Sequence, residues 1–186
     1  IGKSHRGAGE DELINFSASR SRISVDFSDS VRIQNISVSL ERGRRRQVEL
    51  NKVSINRLSD MVGVFNTVLF CPEHLSIIKD GPSARRNYLD IAISQLRPLY
   101  IASLQRYNHI LKQRNMLIRS AKDDRRTFDE TIDFWSEQLA AEAATIASIR
   151  AEYIRRAGGY VAAIFLEMTG DREVPKLRYI GSSKDE

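Results

Sequence analysis

Residues 68–115 read VLFCPEHLSIIKDGPSARRNYLDIAISQLRPLYIASLQRYNHILKQRN. Within this stretch the chain changes its period. The apolar run that closes at Phe70 gives way at Pro82-Ser83 to a helix opening, and apolar residues then recur three and four apart. Leu89, Ile93, Leu96, Tyr100, Leu104, Tyr107, Leu111 and Ile118 make one stripe, the mark of an amphipathic helix. Pro98 lacks a backbone donor and its ring clashes with the preceding turn, so the spacing predicts a kink or break near Arg97. The remainder, 98–119, makes a helix of roughly 33 Å at 1.5 Å per residue.

C-terminal to it, SAKDDRRTFDE (120–130) is a polar connector, and a second stripe runs from Ile132 through Trp135, Leu139, Ala143, Ile146, Ile149, Tyr153, Ala157, Tyr160 and Ile164 to Met168. Gly158-Gly159 interrupts it at a cost of about 1 kcal/mol per glycine. The stripe stays in phase across the pair, which favours one locally weak helix over two. Two long amphipathic helices joined by a polar connector make an αα-hairpin. Thr169-Gly170 ends it, and LRYIG (177–181) reads as a last strand before a polar tail.

N-terminal to the opening stretch the period is two. RISVDFS (22–28) places Ile23, Val25 and Phe27 on one face, Asp29-Ser30 turns the chain, and VRIQNISVSL (31–40) continues the alternation. The step from Ile33 to Ile36 breaks strict alternation and predicts a bulge. ERGRRR (41–46) is a basic hairpin tip around Gly43, and QVELNKVSI returns with a turn near Asn51. NRLSDMVG reads as a short helix, and VFNTVLF (64–70) as a strand buried on both sides. The fold class is therefore α+β: an antiparallel β meander (1–71), a long αα-hairpin arm (72–169), and a returning strand with a polar tail (170–186).

Composition narrows the function. The 186 residues are 41% hydrophobic and 28% charged, ordinary values for a globular chain. No apolar run approaches the roughly 20 residues that span a bilayer. The lone Cys71 cannot form an internal disulfide, which suits a reducing cytosol. The net charge of +5 mildly favours an anionic partner such as nucleic acid. Gly2-Lys3-Ser4 resembles the end of a phosphate-binding loop, but that loop needs an earlier glycine, a strand before it and a helix after it, and the sequence offers none of the three. His5, His74 and His109 lie at no metal-ligand spacing, and neither a Ser/His/Asp set nor any other self-contained catalytic arrangement is legible.

Four groups remain as candidates, each with two readings. The tip residues Arg42, Arg44, Arg45 and Arg46 either touch phosphates or form a solvated loop. Arg85 and Arg86 occupy a helix's first turn, where the dipole disfavours cations; their partner is either an internal carboxylate such as Asp90 or an external anion. Lys112 and Arg114 are a solvated helix face or a partner surface. Glu73 either starts a helix beside Pro72 or stands at a site built at a strand end.

The pattern LFxPExLxIIKxGPxxRRxxLD, the Pro98-x-Tyr100 that follows and LKQRN resemble RecF, a bacterial DNA replication and repair family similar to the ATPase heads of Rad50 and the SMC proteins. Ser4-His5-Arg6 with DELI (11–14), and EMTG followed by LRYIGS, extend the resemblance to nearly the whole chain. It implies an ATP-dependent DNA-binding protein of recombinational gap repair and the SOS response, cytoplasmic and nucleoid-associated. Its implied partners are duplex or gapped DNA, RecR in recombinase loading, and a second RecF protomer when ATP is bound, with no membrane. The family's P-loop, signature motif and Walker B are not found here. The resemblance thus implies a middle part of such an ATPase, inactive alone, with ATP and Mg belonging to the full-length protein. Residue by residue, it implies that Arg6 and Glu73 approach nucleotide in the complete protein, although Cys71 stands where relatives often carry Gln. It places Arg85, Arg86, Lys112 and Arg114 toward DNA, RecR or a second protomer. The alternative is a stand-alone helical-hairpin interaction module that binds neither nucleotide nor DNA.

Overall fold

The computed structural model describes residues 8–56, 58–170 and 172–181. They fall into two compact units, Ile1–Leu69 and Phe70–Glu186.

The first unit is a four-stranded antiparallel sheet in sequence order: β1 (Arg20–Ser28), β2 (Ile33–Glu41), β3 (Gln47–Leu50) and β4 (Val53–Ser54). β1 and β2 pair without a skipped residue, from Arg20 opposite Glu41 to Ser28 opposite Ile33. The bulge expected between Ile33 and Ile36 is therefore absent. The regular register gives the buried position two before Ile36 to Gln34, while Ile33 faces out. Gln34 tolerates burial because its amide donates to Asp29 Oδ2 at 2.5 Å and accepts from Asn51 Nδ2 at 3.3 Å. Asn51 and Lys52 form the two-residue turn into β4, both with positive φ, the geometry whose twist matches a tight hairpin. Ile36, Leu40 and Val48 are the sheet's buried apolar residues, and Ile14, after a short 3-10 helix (Glu10–Leu13), is buried as well.

Residues 64–70, expected as a strand buried on both sides, form no strand, and Val68 and Phe70 are exposed. A doubly buried strand needs a neighbour on each side to take its backbone hydrogen bonds. The sheet here runs β1 to β4 and stops. At the start of the segment Phe65 meets the Phe27 ring at 4.8 Å. LRYIG is corrected in the same way: residues 173–181 carry no strand among the described residues, because no partner strand lies beside them.

The second unit is helical. A 3-10 helix (Pro72–Ile77) leads to α1 (Pro82–Leu96), α2 (Pro98–Ser120) and α3 (Arg125–Thr169). The chain breaks at Arg97, whose backbone is extended, and Pro98 takes the first position of α2, where its missing N–H costs nothing. Asp124 caps α3 by accepting from the Thr127 amide at 3.0 Å. α3 continues unbroken through Gly158-Gly159 and closes on Gly170, which takes the left-handed conformation at φ 62°. At 45 residues it is about 68 Å long, twice the length of α2, so it overruns that helix. The core sits where the α1–α2 break crosses α3: Leu89, Ile93, Tyr100 and Ile146, flanked by Leu104, Tyr107, Ile149 and Tyr153.

Candidate nucleic-acid interface

The site is built outward from that core. Tyr100 is fully buried, so its hydroxyl must find a partner. It donates to Asp90 Oδ1 at 2.5 Å across the break. Arg150 of α3 closes the knot, with Nη2 2.6 Å from the same oxygen and Nε donating to the Tyr100 hydroxyl at 2.8 Å. Burial first, then the hydrogen bond to Asp90, pushes the Tyr100 hydroxyl's pKa well up. Burial opposes the charge of Arg150, but the hydrogen bond to Asp90, the Asp90 charge and the Tyr100 hydroxyl more than offset it, so Arg150 stays protonated. Asp90 is thus not the partner of Arg85 that helix spacing suggested.

A ladder of polar contacts extends the knot along the α2–α3 seam, α3 numbers falling as α2 numbers rise. Arg97 binds Glu152 through two hydrogen bonds, at 2.9 and 2.8 Å. Arg106 pairs with Glu142 and also donates to Ser103. Arg114 donates to Ser136 Oγ at 3.0 Å. The Arg97 hydrogen bond holds Glu152, and the Arg106 hydrogen bond holds Glu142, below the usual glutamate range. These pairs were not singled out in the sequence, where Arg and Glu at the edges of an apolar stripe look like any solvated helix face. A matching descent of basic residues on one helix and acidic ones on the next would have been the signal.

The seven residues expected to meet DNA or a partner divide in two. Arg85 turns back and donates to the carbonyls of Ile77, Ile78 and Asp80, the last at 2.8 Å, so it satisfies the end of the preceding 3-10 helix. Arg114 is held at the seam. At the hairpin tip, Arg44 pairs with Glu41, Arg46 with Glu10, and Arg45 donates weakly to the Asn56 carbonyl. Arg42 donates to backbone carbonyls of Ile14, Asn15 and Ala18. Arg86 in the first turn of α1 and Lys112 on α2 are exposed. Arg6 lies outside the described residues, as does the side chain of Glu73. Among the described residues no group of three or more His, Cys, Asp or Glu is placed to hold a metal, and no helix is long and apolar enough to cross a membrane.

No protein-family model matches the chain. The DNA replication and repair protein RecF of Acetivibrio thermocellus is 33% identical over 178 residues, 96% of this chain and 48% of that protein. RecF of Clostridium tetani is 34% identical over 185 residues, all of this chain and 50% of that one. Two solved structures of the recombination mediator protein RecF in the RecFOR pathway, one designated RecF-ATPrS and one RecF-ATP, superpose with TM-scores of 0.82 and 0.83 at 28% identity. They cover 91% of this chain and 46% and 45% of theirs. The chain spans about half the length of the relatives it matches, and over that half it resembles the RecF proteins in both sequence and fold.

Proposed function

We propose that this chain is the arm-bearing half of an ATP-dependent, DNA-binding RecF-type protein that acts in bacterial DNA replication and in recombinational repair of gaps, working with RecR to load recombinase. The observation that carries the reading is the near-complete match of the chain to one half of RecF at 33–34% identity with the same fold. In this reading residues 1–71 are part of the β layer of the ATPase head, 72–169 the helical arm, and 170–186 the return toward the head.

The complete phosphate-loop pattern does not occur in the sequence. ATP and Mg would be held by the remainder of a full-length protein, with Arg6 and Glu73 as this chain's contributions. No hydrolytic step is assigned to the chain itself. Its residues position: the Asp90–Tyr100–Arg150 knot fixes the angle of α1 on α3, and Arg85 ties the 72–77 turn to α1. That leaves Arg86 and Lys112 as the cations best placed to meet phosphates or a partner's carboxylates, with Arg44, Arg45, Arg46, Arg85 and Arg114 needing first to give up internal contacts. A bacterial cytoplasmic location at the nucleoid follows from the same reading.

A chimera tests it. The corresponding half of Clostridium tetani RecF is replaced by this chain, and survival after ultraviolet damage is measured in a strain lacking RecF. Restored survival supports the proposal. A chimera that folds, accumulates and restores nothing contradicts it.

A further inference from the structure

Beside the core, where α1 ends against α3, an open cavity of about 360 Å³ is lined by aliphatic, aromatic and guanidinium groups. Its aliphatic lining is the buried Ile93 together with Leu96 and Ala157. Tyr153 and Tyr160 wall it, and Tyr160 is largely exposed. Arg97 and Arg156 stand at the rim. Both face one carboxylate. Glu152 takes the two short hydrogen bonds of Arg97, and Arg156 stays 4.0 Å from its Oε1. One acid against two guanidiniums leaves a positive charge at the mouth of an apolar hole. Tyrosine and arginine around an apolar pocket are the composition in which protein interfaces concentrate their binding energy once a partner has covered it.

We propose that this cavity is a docking site for a partner protein segment in which a bulky apolar side chain stands next to a carboxylate. The apolar group enters between Tyr153 and Tyr160 onto Ile93, Leu96 and Ala157. The carboxylate meets Arg156, which stands 4.0 Å from the Glu152 carboxylate that Arg97 already holds. A nucleic-acid strand fits less well. Single strands are bound by a run of cations that tracks the backbone and by flat stacking platforms, whereas this site has two guanidiniums sharing one carboxylate and a partly aliphatic lining.

The test is a nuclear magnetic resonance titration of the isotope-labelled chain with the blocked peptide Asp-Glu-Leu-Phe. Parallel arms use a peptide with Lys in place of both acids, one with Ala in place of Leu and Phe, and oligothymidylate. The acidic apolar peptide is expected to shift the amides of Tyr153, Ala157 and Tyr160, and neither control peptide to do so. Arg156→Glu, an exposed change that leaves the core intact, is expected to weaken binding about tenfold or more, and Ala157→Trp, which fills the cavity, to do likewise. Absence of shifts, equal shifts with the lysine peptide, or binding of oligothymidylate at these residues would overturn the proposal.

Discussion

The two units of this chain solve the same problem with different completeness. The arm closes its own core: Tyr100 is wholly buried, every polar group of the knot around it is paired, and apolar side chains from three helices meet there. The sheet does not. Its few buried apolar residues, Ile36, Leu40 and Val48, lie on the strands with no wholly buried ring among them, and Ile23, Val31, Ile33, Val68 and Leu69 are exposed, as Leu99 and Met168 are on the arm. The difference teaches where stability resides. In the helical unit it depends on one crossing point, and single changes there have large consequences. In the sheet unit it depends on turns that hold register.

Breaking the crossing point should give the largest effect. Tyr100→Ala removes a fully buried ring and leaves Asp90 and Arg150 without their bridging hydroxyl, and is expected to cost about 3–5 kcal/mol in denaturant unfolding. Asp90→Ala leaves Arg150 partly buried and unpaired and is expected to cost about 3 kcal/mol by the same measurement, the low end for a broken buried pair because both side chains keep some solvent contact. Equal, small losses from both would show that the knot is ornamental and would dissolve the contrast between the units. Asn51→Ala in the β3–β4 turn is expected to cost about 1–2 kcal/mol, since alanine tolerates positive φ poorly and the contacts to Asn35 and Gln34 are lost. Amide exchange would place that loss in β3 and β4 rather than in the helices.

The seam adds a pH dependence confined to the arm. Glu142 and Glu152 have folded pKa values lowered from 4.5. Their stabilisation is therefore present above the unfolded value and lost as pH falls through the depressed folded values. Acid titration of helix content should show this loss below about pH 4.5, and Glu152→Gln should shrink it. At the small end, Gly158→Ala should raise stability by about 0.5–1 kcal/mol, because a Cβ there meets only Leu177 at an ordinary 3.8 Å.

Much of this architecture was legible. Helical spacing and Pro98 predicted α1, α2 and the break, and an in-phase stripe predicted that α3 would run through its glycines. What was not legible has physical reasons. Gln34 was passed over as a buried residue because its burial depends on Asp29 and Asn51, partners that only the folded sheet supplies. The apolar run 64–70 carries the composition of a buried strand without the neighbours that make one. At the candidate interface, composition identified the arginines but could not say which were spent internally. Arg85 on carbonyls, Arg114 on Ser136 and the tip arginines on Glu10 and Glu41 look the same in sequence as the exposed Arg86 and Lys112.

The proposal that this chain meets DNA through exposed cations of its helical unit is tested most directly by fluorescence anisotropy of labelled duplex DNA across a salt series. The chain should bind with an affinity that falls steeply as salt rises. The Arg86→Glu, Lys112→Glu double variant should bind more weakly, with a log–log slope shallower by about 2. No salt-dependent binding by the chain, or an unchanged affinity and slope in the double variant, would contradict the account.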